Sequence, residues 1–113
     1  MLRFNSDHKF KIMQIADTQE IPAVSPDTLS LINNALDREK PDLVIFTGDQ
    51  IKGYSKKFKK DPAIIESTID ILVEPIAKRN IPFMVTYGNH DAQCGIDNRG
   101  QYKFYAKYDN FIS

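Results

Sequence analysis

Three short polar segments, each directly behind an apolar run, contain the side chains that could perform chemistry in this sequence. They are Asp17-Thr18-Gln19, Gly48-Asp49 and Gly88-Asn89-His90-Asp91. Taken singly, each has an ordinary explanation, because an aspartate after a strand is more often a turn or cap residue and Gly-Asn is usually a turn. Three such segments in one chain instead favour a shared site of carboxylate, amide and imidazole groups.

Oxygen donors combined with an imidazole indicate metal-assisted hydrolysis. Carboxylate and carboxamide oxygens with imidazole suit divalent ions such as manganese, iron or zinc, and a carboxylate between two such ions can bridge them. Two neighbouring metals acidify a bound water and clamp a phosphoryl group during its displacement. Asp49 is the expected bridge, and Asn89 can donate its carbonyl oxygen to a metal. His90, next to the potential orienting carboxylate of Asp91, could protonate or stabilise a leaving oxygen.

The elements that must position these residues alternate between strands and helices. Apolar runs at residues 10–16, 43–46 and 81–86 predict strands. Ser25-Pro26 and Asp61-Pro62 predict the starts of two amphipathic helices between them. This alternation implies right-handed crossovers, so we predict an α/β fold with a βαβαβ, mainly parallel sheet and flanking helices. Ligands of such sheets bind outside the carboxyl ends of the strands, where the three polar segments meet.

The balance of charge and the apolar content limit the classes of protein and partner. Fifteen basic and fifteen acidic residues cancel, and 42% of the residues are hydrophobic. We therefore predict a single globular domain over residues 1–113, with no overall field that favours nucleic acid or an anionic membrane surface. Cys94 is the single cysteine and no apolar run is long enough to span a membrane, so we expect a cytoplasmic location. The lysine cluster at residues 56–60 is expected to be a solvated loop.

The ordered set of three segments resembles the first three motifs of the calcineurin-like metallophosphoesterases, which are written D-x-H, G-D and G-N-H-[DE]. The similarity extends from the strand entry at residues 10–12 to the run at 81–83, and so covers most of the chain. The resemblance implies a hydrolase that cleaves phosphate mono- or diesters with a metal-bound hydroxide and two divalent ions, manganese, iron or zinc. It also implies that the chain is the first half of a four-layer α/β/β/α sandwich.

The resemblance implies a role for each matched residue. Asp17 would bind the first metal, and Asp49 would bridge both metals. Asn89 would bind the second metal while its amide faces the substrate phosphate. His90 would be the catalytic imidazole near the leaving group, with Asp91 holding it.

Two features depart from the family pattern. Gln19 stands where D-x-H has a metal-binding histidine, and its neutral carbonyl oxygen is a poorer ligand for zinc or iron. Tyr54, five residues after Asp49, lies beyond the offset of the tyrosine that some branches recruit instead. No histidine follows His90, whereas the family completes its site with later histidines. We therefore expect a truncated domain with weak or partial metal occupancy, and an uncovered sheet face that favours self-association.

Two other classes of function remain alternatives at this point. A receiver-like signalling domain has a similar length and strand-end aspartates, but it requires an acidic pair after the first strand and leaves Gly88-Asn89-His90-Asp91 unexplained. The second alternative is a non-catalytic fragment, or a subunit that binds phosphate or metal and acts through a partner. The same motifs serve an enzyme fragment and a non-catalytic subunit, so only binding and turnover measurements separate them.

Overall fold

A small parallel sheet with helices beside it makes up the computed structural model of the protein, which describes residues 2–112. Strands β1 (Ile12–Ile15), β2 (Leu43–Phe46) and β3 (Phe83–Val85) pair in the order β1-β2-β3, and both pairs are parallel. The helices are α1 (Pro26–Glu39), α2 (Pro62–Ala77) and α3 (Asn98–Ala106). The predicted α/β class and βαβαβ order are confirmed.

The helices begin where local chemistry favours a start. The Asp61 carboxylate accepts a hydrogen bond from the Ala63 N–H (2.9 Å) at the start of α2. At the start of α3, the Asp97 carboxylate accepts one from the Gly100 N–H (2.8 Å). Both carboxylates pair an amide that has no partner inside its own helix.

Helix α1 departs from the predicted capping pattern. Ser25 occupies the cap position, but its side chain makes no cap hydrogen bond. The buried carboxylate of Glu20 instead anchors this helix start, because it accepts hydrogen bonds from the Ser25 N–H and the Thr28 hydroxyl. The segment that follows β1 therefore also fixes the start of the first crossover helix.

The two faces of the sheet differ in burial. In the observed register Val44 and Phe83 lie on one face, with Phe46 two residues further along it, and all three are fully buried in one core cluster with residues of the helices. Ile12 lies on the opposite face and keeps 56% of its surface exposed. Both crossovers place their helices on one side of the sheet, so the face that carries Ile12 has no helical layer in the described residues.

No helix within residues 2–112 combines the length and the apolar character that a bilayer crossing requires.

Candidate functional site

The polar segments that follow β1 and β2 continue the pairing of their strands. The Asp17 N–H donates to the Gly48 carbonyl oxygen (3.1 Å), and the Gln19 N–H donates to the Asp49 carbonyl oxygen (2.9 Å). The Thr18 hydroxyl donates to the backbone oxygen of Gln50 at 2.7 Å. These bonds hold the first two predicted metal ligands, Asp17 and Asp49, on neighbouring backbones at one edge of the sheet.

Three non-glycine residues of these segments have left-handed backbone conformations. Their φ angles are 54° for Asp17, 42° for Gln19 and 54° for Asp49. Aspartate tolerates this region better than most residues, yet the conformation is still costly and persists only where surrounding bonds enforce it. The inter-segment hydrogen bonds supply that enforcement, and concentrated strain of this kind is typical of functional sites.

The third segment approaches the second so closely that only glycine fits at two positions. A Cβ added to Gly88 would overlap the Asp49 carboxylate, and one added to Gly48 would lie 2.7 Å from the Gly88 nitrogen. The His90 N–H donates to Asp49 Oδ1 at 2.8 Å. Both motifs therefore need glycine, because it lets the two backbone segments approach each other closely. The ends of β2 and β3 form one continuous surface.

Asp91 has different partners from those that the sequence predicts. Its side chain is fully buried, and its Oδ2 accepts hydrogen bonds from the N–H groups of Asp49 (2.7 Å) and Gly88 (2.8 Å). Its Oδ1 accepts from the Ile51 N–H at 3.2 Å. Burial raises the pKa of the Asp91 carboxyl, and the backbone donors act against that rise.

The predicted contact between the Asp91 carboxylate and the His90 ring is wrong. The physical reason is that three amides beneath the strand ends need an acceptor, and a buried N–H without one is costly. Asp91 supplies that acceptor, so it joins the second and third segments through their backbones. It is a positioning residue, because it sets the geometry of Asp49 and His90 from below.

The His90 ring instead lies between Gln93 and Tyr54. Its Nδ1 is 2.8 Å from Gln93 Oε1, and the Tyr54 ring packs against it edge-on with 5.1 Å between ring centroids. Lys52 Nζ lies 5.3 Å from the centre of the Tyr54 ring. The contact of Gln93 with His90 was not predicted from the sequence, although two residues three positions apart in a tight turn often lie close together.

A second layer of buried polar side chains supports this turn. Gln101 is fully buried, and its amide donates to the Asp91 carbonyl (2.6 Å) and the Ile96 carbonyl (2.9 Å). Burial raises the pKa of Tyr87 to about 12, and burial also raises the pKa of the Cys94 thiol. Both groups stay neutral at physiological pH. Gln101 therefore supports the turn that follows His90 through its backbone carbonyl oxygens.

Most of the oxygen donors predicted to bind metal have no competing partner within residues 2–112. The side chains of Asp17, Gln19 and Asn89 form no hydrogen bond within residues 2–112, and Asp49 uses one carboxylate oxygen for His90. In that same range, no three His, Cys, Asp or Glu side chains form a cluster that could hold an ion. Two carboxylates and two amides suit a hard, oxygen-seeking cation better than zinc. The donor set fits one such ion incompletely and needs further ligands.

The chain matches a known protein family over most of its length. The family model of the calcineurin-like phosphoesterases matches residues 10–113. The chain belongs to that family. All three polar segments fall within the matched range, so the predicted resemblance is confirmed.

Several curated proteins are similar to this calcineurin-like phosphoesterase chain. "Probable inactive purple acid phosphatase 14" of Arabidopsis thaliana is 28% identical and covers 99% of this chain. "Phosphatase DCR2" of Saccharomyces cerevisiae is 36% identical over 80% of the chain, and an "Uncharacterized metallophosphoesterase" of Aquifex aeolicus is 28% identical over 79%. The matched region is 31%, 17% and 31% of these relatives respectively. The chain thus spans about a third of their length or less.

One solved crystal structure has the same fold. It superposes with a TM-score of 0.61 at 18% sequence identity, and the match covers 90% of this chain and 45% of the other. Identity at this level supports the architecture and no finer property.

Proposed function

We propose that this chain provides the strand-end part of a cytoplasmic, metal-dependent phosphoesterase site that hydrolyses phosphate mono- or diesters. The observation that carries the proposal is the convergence of Asp17, Asp49 and the Asn89-His90 pair. Backbone pairing brings the first two together, and the glycine contacts and the buried Asp91 carboxylate bring the third beside them. Membership of a phosphoesterase family supports the reaction class.

Four residues have the oxygen donors for divalent ions. Of manganese, iron and zinc, which the family resemblance implies, we propose manganese, because all four donors are oxygens. Asp17 and Asp49 give carboxylates, and Asn89 gives an amide oxygen. Gln19, whose neutral carbonyl oxygen is a poorer ligand, is the fourth. Divalent ions at such a site lower the pKa of a bound water and neutralise charge on a phosphoryl group. The inter-segment hydrogen bonds fix the backbones of Asp17 and Asp49, and the His90 N–H also holds Asp49 Oδ1.

His90 is the candidate acid for the leaving oxygen. Its Nδ1 faces Gln93 Oε1, so Nε2 is the ring nitrogen that remains for a substrate. The Tyr54 ring packs against the imidazole, and the His90 N–H bond to Asp49 Oδ1 fixes the backbone that carries it. A fixed imidazole beside the phosphoryl position is what proton donation to a departing alkoxide requires.

A non-catalytic role is the second candidate. The donor set is incomplete within residues 2–112, and three of the similar plant proteins have "inactive" in their names. Under this alternative the chain binds metal or phosphate weakly and another polypeptide segment completes the site. We expect the chain by itself to bind manganese weakly and to have little or no turnover.

Manganese titration with parallel turnover measurements separates these outcomes. Wild type, Asp49→Asn and the control Asp97→Asn are titrated with manganese by calorimetry and assayed with an aryl phosphate. We expect binding in wild type and Asp97→Asn and loss of binding in Asp49→Asn. The absence of any manganese binding at millimolar concentrations would overturn the proposed site. Turnover that Asp49→Asn abolishes would instead refute the expected inactivity of the chain alone.

We also propose that the isolated chain self-associates through the sheet face that carries Ile12. A mostly apolar hollow of about 450 Å³ adjoins this face and is lined by Leu2, Phe4, Phe10 and Ile12 together with Arg3. The chain covers 45% of its structural neighbour. In a pure sample of this chain, a second copy is the polypeptide that can cover the hollow. Apolar surface of this kind favours association.

A further inference from the structure

We propose that a lysine-lined pocket beside His90 binds a second phosphate group, carried by the leaving alcohol of the substrate. The pocket has a volume of about 350 Å³, and its lining includes Lys56, Lys59 and Lys60 together with Tyr54 and Gln93. This inference rests on the proposed function, since it assigns the part of the substrate that departs. It goes further because it names a chemical feature that distinguishes substrates.

The pocket lies next to two side chains that contact the candidate acid. Tyr54 and Gln93 line the pocket, and the same two side chains contact the His90 ring. A Cβ added to Gly53 would overlap the His90 carbonyl oxygen, so the loop that carries Tyr54 lies against the His90 turn without a gap. The pocket therefore lies on the Gln93 and Tyr54 side of the His90 ring, and a leaving alcohol at Nε2 must extend past these two side chains to reach it.

The four lysines of the loop are exposed, as expected for a solvated loop, but the backbone that carries them is anchored and has a defined conformation. Phe58 is 1% exposed and anchors the loop in the core. The Ser55 hydroxyl oxygen accepts a hydrogen bond from the Lys57 N–H at 3.3 Å. Lys59 and Lys60 have left-handed φ angles of 54° and 49°, which is unusual for two successive non-glycine residues and marks a conformation that the surroundings impose.

The positive charge of this loop is uncompensated. Within residues 2–112, none of the lysines at 56, 57, 59 and 60 forms an ion pair, whereas Lys11, Arg79 and Lys107 each pair with a carboxylate. The nearest acid in sequence, Asp61, uses its carboxylate on the Ala63 N–H. In a chain with no net charge, three lysines that line one pocket and have no ion-pair partner in the described residues make a local positive field.

This chemistry selects an oxyanion of high charge. Lysine ammonium groups bind phosphate as point charges, and a partly enclosed pocket screens them less than open solvent does. A neutral alkyl or aryl leaving group would leave the ammonium groups without partners. A phosphate ester whose alcohol carries another phosphate pairs with them, and it places the scissile group at the strand ends.

Pyrophosphate binding in the absence of added metal tests the pocket by itself. Wild type and Lys59→Asn/Lys60→Asn are titrated while amide shifts are followed by NMR, because asparagine accepts the left-handed backbone and removes both charges. The matched control is Lys78→Gln/Lys103→Gln, which removes two exposed charges elsewhere. We expect shifts at Gly53, residues 56–60 and Gln93. We expect affinity to fall about tenfold in the loop variant and less than about twofold in the control.

Four outcomes would overturn the pocket. These are no pyrophosphate binding by wild type at millimolar concentrations, equal losses in the two double variants, shifts confined to other regions, and loss of binding in Asp49→Asn. The last outcome would place the anion at the strand ends and leave the proposed function standing. Should the double variant fail to give a native spectrum, Lys56→Gln replaces it with the same expected direction of change.

Discussion

Replacing Asp91 by asparagine tests how the strand-end segments are held together. Asp91 Oδ2 accepts two backbone hydrogen bonds and Oδ1 accepts a third, all in a fully buried position. An asparagine can keep its oxygen toward Asp49 and Gly88, but its NH₂ group then faces the Ile51 N–H. Two bonds lose their charge assistance and one buried donor loses its acceptor.

The size of the effect follows from those changes. A buried donor without a partner costs about 1–3 kcal/mol, and hydrogen bonds to charged groups are worth roughly twice those to neutral ones. We expect Asp91→Asn to lower the free energy of unfolding by about 2–4 kcal/mol, a large fraction of the roughly 5–15 kcal/mol typical of a domain. With an m-value near 2 kcal/mol/M, the urea midpoint falls by about 1–2 M.

The assay is urea unfolding followed by circular dichroism, together with hydrogen exchange of the Asp49, Ile51 and Gly88 amides. Asp97→Asn is the matched control, because asparagine is as good an N-cap as aspartate and Asp97 is exposed. The control is expected to stay within about 0.5 kcal/mol of wild type. Equal midpoints for the two variants, with unchanged exchange of the three amides, would refute the role assigned to Asp91.

Two further substitutions test the close backbone approach and the open sheet face. Gly88→Ala places a methyl group against the Asp49 carboxylate. We therefore expect it to lower the urea midpoint by about 1 M and to weaken manganese binding. A wild-type midpoint together with wild-type manganese affinity would contradict the close approach. Ile12→Thr should lower the mass measured by light scattering at high concentration. The control Leu31→Gln, at a helical position that is 71% exposed, should leave that mass unchanged. A monomeric wild type would count against self-association.

Local patterns were sufficient to predict the framework. The β-branched run at Leu43–Phe46 predicted β2, and the Asp-Pro pair at 61–62 predicted the start of α2. These signals are local, because a strand or a capped helix start is specified within a few consecutive residues. The order of the elements then restricted the topology, since crossovers between parallel strands are right-handed.

The sequence was less informative about side-chain partners that come from distant segments. Asp91 and Asp49 are 42 residues apart, and their contact depends on the approach that the two motif glycines permit. The use of Glu20 at the start of α1 was missed for a similar reason, because Ser25 had the expected residue type at the cap position. The sequence supplied the reactive side chains, and the structure was needed to show how they are held.

Paramagnetic broadening by manganese tests the central claim most directly. Substoichiometric manganese is added to the isotope-labelled chain, and the loss of amide signals is mapped along the sequence for wild type and Asp49→Asn. We predict that the amide signals around Asp17, Asp49 and Asn89 disappear first. We also predict that Asp49→Asn prevents the broadening in all three regions together. Broadening centred on other exposed carboxylates, such as Glu66 and Asp70, or a pattern unchanged by Asp49→Asn, would contradict it.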